Sequence, residues 1–149
     1  MKLTSPAFDD GGMMPEKYGY TRQNVNPPLR FKEVPEETAS LVLLVDDPDA
    51  VEPAGKVWDH WTVWNIPAGT AEVEEGSTPP GAVEGMTDFG EPGYGGPNPP
   101  DGEHTYRFRL YALDTRLDLP ANATKEDVQD AMEGHVLDTA ELEGTFAPL

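Results

Sequence analysis

The sequence contains no cysteine. Disulfides, thiolate nucleophiles and cysteine-ligated zinc are therefore excluded, and any metal would have to be held by histidine and carboxylates. Basic residues are scarce: 10 Lys and Arg stand against 28 Asp and Glu, a formal charge of −18. A field of that sign repels polyanions, which excludes nucleic acid as a partner and opposes anionic membranes. Long apolar runs are also missing. No stretch approaches the ~18 apolar residues of a membrane span, and Met1 to Asp10 lacks the apolar core of a signal peptide, so the expectation is a cytoplasmic protein with no stable membrane insertion. The acidic side chains are scattered (Glu36, Glu37, Glu72, Glu126, Asp130, Glu141) rather than gathered in a tail. Their self-repulsion is relieved only when salt near 1 M cuts the Debye length to about 3 Å, which points to a salt-adapted protein.

What is abundant is proline and glycine, 16 and 15 in 149 residues. Both break helices and supply turns, favouring short strands joined by long, stiff loops. Three Trp, five Tyr and five Phe suffice for a packed interior. No repeat or composition shift marks a boundary, so a single domain over residues 1–149 is expected. Ser40 to Asp46 reads as a buried strand stopped by Asp47-Pro48-Asp49. Trp58 to Pro67 reads as another, and period-2 geometry sets Trp58, His60, Thr62 and Trp64 against Asp59, Trp61 and Val63. His104 to Asp114 alternates cleanly, Tyr106, Phe108, Leu110 and Ala112 against Arg107, Arg109 and Tyr111. Thr124 to Met132 is the one good helix, with Thr124 as cap, Asp127 at the third helical position, and Val128, Ala131, Met132 and His135 sharing a face. Residues 1–28 are expected to wrap the body irregularly, with a short strand or two, and 144–149 to add a last short strand. The class is mostly β: a Greek-key sandwich of two antiparallel sheets with one or two short helices in the C-terminal half.

Three segments place titratable groups at strand ends, where loops meet and pockets form: Asp47-Pro48-Asp49, Trp58-Asp59-His60-Trp61, and Gly93 to Tyr106. The Pro/Gly-dense stretch from Thr78 to Gly102 is long enough to imply function. Together these segments make an anion cradle: histidines and a phenol donate to oxyanion oxygens, glycine N–H groups approach closely, and a carboxylate orients one ring and keeps it protonated. For a zwitterionic ligand, Asp47 or Asp49 would take the ammonium and Trp58 would cover it. Each segment also has a plainer reading. Asp47-Pro48-Asp49 is an ordinary turn, His60 a satisfied core histidine, and His135 a helix-end residue favoured by the macrodipole. Two other functions stay open: a metal-assisted hydrolase using Asp47, Asp49, His60 and His104, and a protein-interaction module presenting the rigid loop. No Ser sits in a strand-turn-helix elbow, and no residue is assigned a catalytic role.

In order along the chain, Asn24-Val25-Asn26-Pro27-Pro28-Leu29, Asp46-Asp47-Pro48-Asp49-Ala50, Trp58-Asp59-His60-Trp61 with Asn65-Ile66-Pro67, and Gly93-Tyr94-Gly95-Gly96-Pro97-Asn98-Pro99-Pro100 followed by His104-Thr105-Tyr106 resemble the phosphatidylethanolamine-binding protein family, in its compact microbial, Raf kinase inhibitor-like branch. The resemblance implies a pocket whose carboxylate is Asp47, whose histidines are His60 and His104, and whose phenol is Tyr106. Trp58, Pro48, Gly96 and Pro100 would shape its walls, with Asp49 and Asn98 beside them. It implies a non-enzymatic protein that binds a small phosphate-like anion or phosphorylated head group without a cofactor, a role that is regulatory in some animal members. Microbial relatives associate, which leaves a homodimer open. Two positions differ from the family pattern: Thr105 follows His104 where many relatives carry Arg, and Asn98 stands where microbial relatives often carry Cys.

Overall fold

The strand β4 (Ser40–Asp47) is buried along its whole length, as expected of an unbroken apolar run with neighbours on both edges and both faces. It pairs antiparallel with β5 (Trp58–Pro67) on one side and β8 (His104–Leu113) on the other. The computed structural model describes residues 1–149. A six-stranded sheet runs β2-β9-β8-β4-β5-β7, with β2 at Gly12–Met13, β7 at Val83–Glu84 and β9 at Val136–Phe146. A three-stranded sheet, β1-β3-β6, is built from Lys2–Thr4, Leu29–Lys32 and Glu72–Val73. The chain passes between the sheets after β1, β2, β3, β5 and β6, the over-and-back connectivity of a Greek-key sandwich. All pairings are antiparallel except the two-residue β2–β9 contact, which is parallel.

Strict alternation on β4 divides the interior in two. Leu41, Leu43 and Val45 face inward to the larger cluster between the sheets, joined by Leu29 and Phe31 from the small sheet and by Phe108 and Leu110 from β8. Val42 and Leu44 face outward to a smaller cluster with Trp64, Leu113, Val128 and Met132, closed by helix α2 (Lys125–Met132). Each such fully buried side chain contributes about 1.5–3 kcal/mol. The alternation continues past the apolar run, so Asp46 falls on the outer face and Asp47 on the inner one.

Several expectations are corrected. Strict period 2 fails along β5: the register slips at Val45/Asp46 and again between Leu41 and Leu43. These bulges put His60, Trp61 and Val63 together on the inner side, while Trp64 packs outward. The last strand starts at Val136 rather than Gly144, held there by its ladder with β8; its first half is exposed or half-buried and carries no apolar periodicity that the sequence could show. A four-residue helix α1 (Val51–Ala54) lies in the N-terminal half, too short and too proline-interrupted to show a helical pattern. Helix α2 forms as expected, with Thr124 Oγ1 accepting from Asp127 N–H and the Asp127 carboxylate accepting from Thr124 N–H. His135, however, lies beyond the helix end, exposed, with Nδ1 2.8 Å from Asp114. No helix is long and apolar enough to cross a membrane.

Candidate functional site

At one end of the inner face, β4, β5 and β8 deliver Asp47, His60, His104 and Tyr106 to a common cavity of about 200 Å³. Phe89 and Trp58 form one apolar wall, Pro99 and Pro100 another, and Ala50, Pro53 and Ala54 from the turn after β4 a third; Asn98 adds an amide. The Asp47-Pro48-Asp49 turn is real and serves the site: Asp47 Oδ1 accepts from Asp49 N–H at 2.9 Å, opening a 3₁₀ turn that carries Ala50 to the cavity. Asp47 Oδ2 is left for His104 Nδ1 at 2.6 Å.

His104 is gripped at both ring nitrogens. Its Nε2 lies 2.6 Å from Asp101 Oδ1, so both nitrogens donate and the ring is an imidazolium. Burial works against that charge, but the hydrogen bonds and charges of Asp47 and then Asp101 outweigh it and raise the pKa above its usual value. His60 is the opposite case. Burial lowers its pKa despite a 2.6 Å contact from Nδ1 to the Gly95 carbonyl. That carbonyl can only accept, so Nδ1 carries the proton and Nε2 presents a lone pair. Tyr106, 1% exposed, has its pKa raised by burial and then by the Asp47 carboxylate beside it, so its hydroxyl stays protonated.

The loop that completes the pocket is fastened to the N-terminal segment. Tyr20 N–H donates to the Pro97 carbonyl at 2.9 Å, Gly96 N–H to Asn24 Oδ1 at 2.8 Å, and the Tyr94 hydroxyl to the Tyr18 carbonyl at 3.1 Å. Glycine is required at Gly96, where a Cβ would sit 2.0 Å from the Tyr18 carbonyl oxygen, and at Gly95, where one would meet the Phe89 ring at 2.3 Å. The amides of Gly95 and Gly96 are consumed by His60 O and Asn24, so the expected glycine donors are not offered to a ligand.

Among the expected site residues, the structure brings together Asp47, Trp58, His60, Asn98, Pro100, His104 and Tyr106. Pro48, Asp49 and Gly96 do not line the cavity. Pro48 opens the 3₁₀ turn, Asp49 Oδ2 accepts from Thr105 N–H at 2.8 Å, and Gly96 packs on the N-terminal segment. Asp49 is thus not placed to receive an ammonium group. Nor do Asp47, Asp49, His60 and His104 converge as a ligand set, since no group of three His, Asp or Glu side chains is arranged to hold a metal ion. Phe89 carries no signal in the sequence; its ring stacks on Tyr20 at 4.4 Å and meets His60 edge-on at 5.4 Å. Asp101 carries none either. Both lie in a loop with no periodicity to assign a direction, and the only available signal is loop length.

The profile of the family described as phosphatidylethanolamine-binding protein matches residues 4–147. This chain belongs to the phosphatidylethanolamine-binding protein family. It is 50% identical to a UPF0098 protein of Methanothermobacter thermautotrophicus over 98% of both chains, and 44% identical to one of Chlamydia trachomatis over 98% of both. Among solved structures of the family, the Chlamydia trachomatis homologue CT736 superposes with a TM-score of 0.91 at 44% identity, covering 97% of this chain and 95% of its own. Escherichia coli YbcL, described as a member of the mammalian family, superposes at 0.90 with 32% identity, covering 97% and 96%.

On the opposite face, directly behind the pocket, Asp46 sits fully buried among cations. Arg107 Nε lies 2.8 Å from Oδ1, Arg109 Nη2 2.8 Å and Lys125 Nζ 3.1 Å from Oδ2, and Lys125 also reaches Asp59 Oδ1 at 2.6 Å. Burial raises the Asp46 pKa, but Arg107, Arg109 and Lys125 together reverse this and leave it lowered. The network ties α2 to β4, β5 and β8 where those strands carry the pocket residues.

Proposed function

We propose that this chain binds, and does not transform, a small phosphate-like oxyanion or a phosphorylated head group in the Asp47–His60–His104–Tyr106 pocket. The observation that carries this reading is the convergence of an imidazolium, a protonated phenol and an amide in one apolar-walled cavity whose lining includes no Ser, Thr or Lys nucleophile. A volume of about 200 Å³ falls below the roughly 300–1,000 Å³ of drug-sized sites, which favours a head group or free anion over a nucleotide. Because His60 Nε2 offers a lone pair, the best ligand carries a proton donor as well as a charged oxygen, as a partly protonated phosphate does. Family membership supports the same reading.

The test is proton NMR of the three histidine rings, with inorganic phosphate added at constant ionic strength. His60 and His104 signals are expected to move together while His135, exposed and paired with Asp114, stays still. No movement of His60 or His104 at tens of millimolar phosphate would end the anion reading.

A further inference from the structure

Two carboxylates share the one His104 imidazolium, and their situations differ. Asp47 is buried and held from both sides, by His104 at one oxygen and Asp49 N–H at the other. The Asp101 side chain is 49% exposed, and the contact with His104 Nε2 is its sole tie to the protein. Nε2–H is therefore the one donor of His104 that the framework does not claim. A carboxylate oxygen 2.6 Å from that donor is itself an oxyanion in hydrogen-bonding position.

We propose that Asp101 is a tethered internal competitor: its carboxylate takes the His104 contact that an external anion needs, and ligand binding swings it away. This rests on the anion-pocket reading above and adds to it a rule of selectivity. A carboxylate ligand exchanges like for like with Asp101 and must also overcome the high effective concentration of a tethered group. A phosphate monoester brings more charge and more acceptor oxygens, so it gains on exchange. The other charged or titratable groups facing this corner do not relieve the competition. Asp47 from β4 is committed to Nδ1, Asp49 from the turn to Thr105 N–H, His60 from β5 is neutral, and Tyr106 from β8 keeps its proton. With Asp101 docked, His104 and its two carboxylate partners together carry one excess negative charge, which repels a second anion.

The experiment is titration calorimetry of phosphate and of acetate, at constant ionic strength, into wild type, Asp101→Asn and Asp101→Ala, with a thermal melt of each. Asn keeps an acceptor without the charge; Ala removes both. Both variants are expected to bind phosphate about tenfold more tightly than wild type, and acetate binding, negligible in wild type, is expected to become measurable. Equal phosphate affinity in all three proteins would overturn the competitor role and leave the anion pocket standing. Weaker binding by the variants would overturn it too, by making Asp101 part of the ligand's own shell. Absence of phosphate binding in all three would remove both readings.

Discussion

His60 and His104 lie in the same pocket and are driven to opposite protonation states by what each nitrogen touches. His60 meets a carbonyl and apolar rings; His104 meets two carboxylates. A histidine ring NMR titration of the free protein is expected to show His60 titrating below its ordinary pKa of about 6.5 and His104 above it. The two have opposite consequences for stability. With its folded pKa raised, His104 contributes stability that is complete below about pH 6.5 and is lost as pH rises through the folded value. With its folded pKa lowered, His60 favours the folded state above about pH 6.5, and that contribution is lost as pH falls toward the folded value. Denaturant unfolding of His104→Gln should therefore differ most from wild type in mild acid and converge with it as pH rises. Asp46 adds a third dependence. Its lowered pKa stabilises the fold above about pH 3.9, a contribution lost as pH falls through the folded value.

At the scale of elements, the pocket depends on two attachments remote from any ligand. One is α2, whose Lys125 is the sole cation on Asp59 and one of three on Asp46. Lys125→Met removes it and leaves Asp59 buried and unpaired, at an expected cost of about 3 kcal/mol in denaturant unfolding. The double variant Lys125→Met, Asp59→Leu removes the orphaned charge and should recover most of that loss. The other is the crossing of the 95–100 loop over the N-terminal segment. Gly96→Ala drives a Cβ into the Tyr18 carbonyl, and separation of the two segments is expected to cost about 2–4 kcal/mol. That change should also abolish the phosphate response of His60 and His104, because Asn98, Pro99 and Pro100 follow directly in the displaced loop.

Across the whole molecule, net charge governs how stability responds to solution conditions. At −18 the surface repels itself at low ionic strength, while the ion pairs of the interior are shielded from salt by burial. Raising KCl from about 0.1 M to about 2 M shortens the Debye length from about 10 Å to below 3 Å, so self-repulsion falls and the core pairs stay intact. Relief of about 1–2 kcal/mol would raise the melting temperature by roughly 3–8 °C for a chain of this size. An unchanged or lower melting temperature in KCl would show that the acidic surface is not a salt adaptation.

The strands with local periodicity were legible from the residues alone. The apolar run of β4 and the alternation of β8 identify the sheet centre, and Thr124 and Asp127 mark the start of α2, because period and capping are properties of a few consecutive residues. The ordered motifs around Asp47, His60 and His104–Tyr106 carried the family, and β8 periodicity alone placed His104 and Tyr106 on one face. Only tertiary structure decided the rest. The bulges that turn His60 and Trp61 to the same side arise from pairing with β4, which no local period encodes. The early start of β9 is set by its ladder with β8, since its own first half buries too little to show a pattern. Burial against the Gly95 carbonyl leaves His60 an acceptor, and the return of a loop carboxylate to Nε2 occupies His104. Both depend on atoms 35 and 3 residues away along the chain, whose directions the fold alone determines.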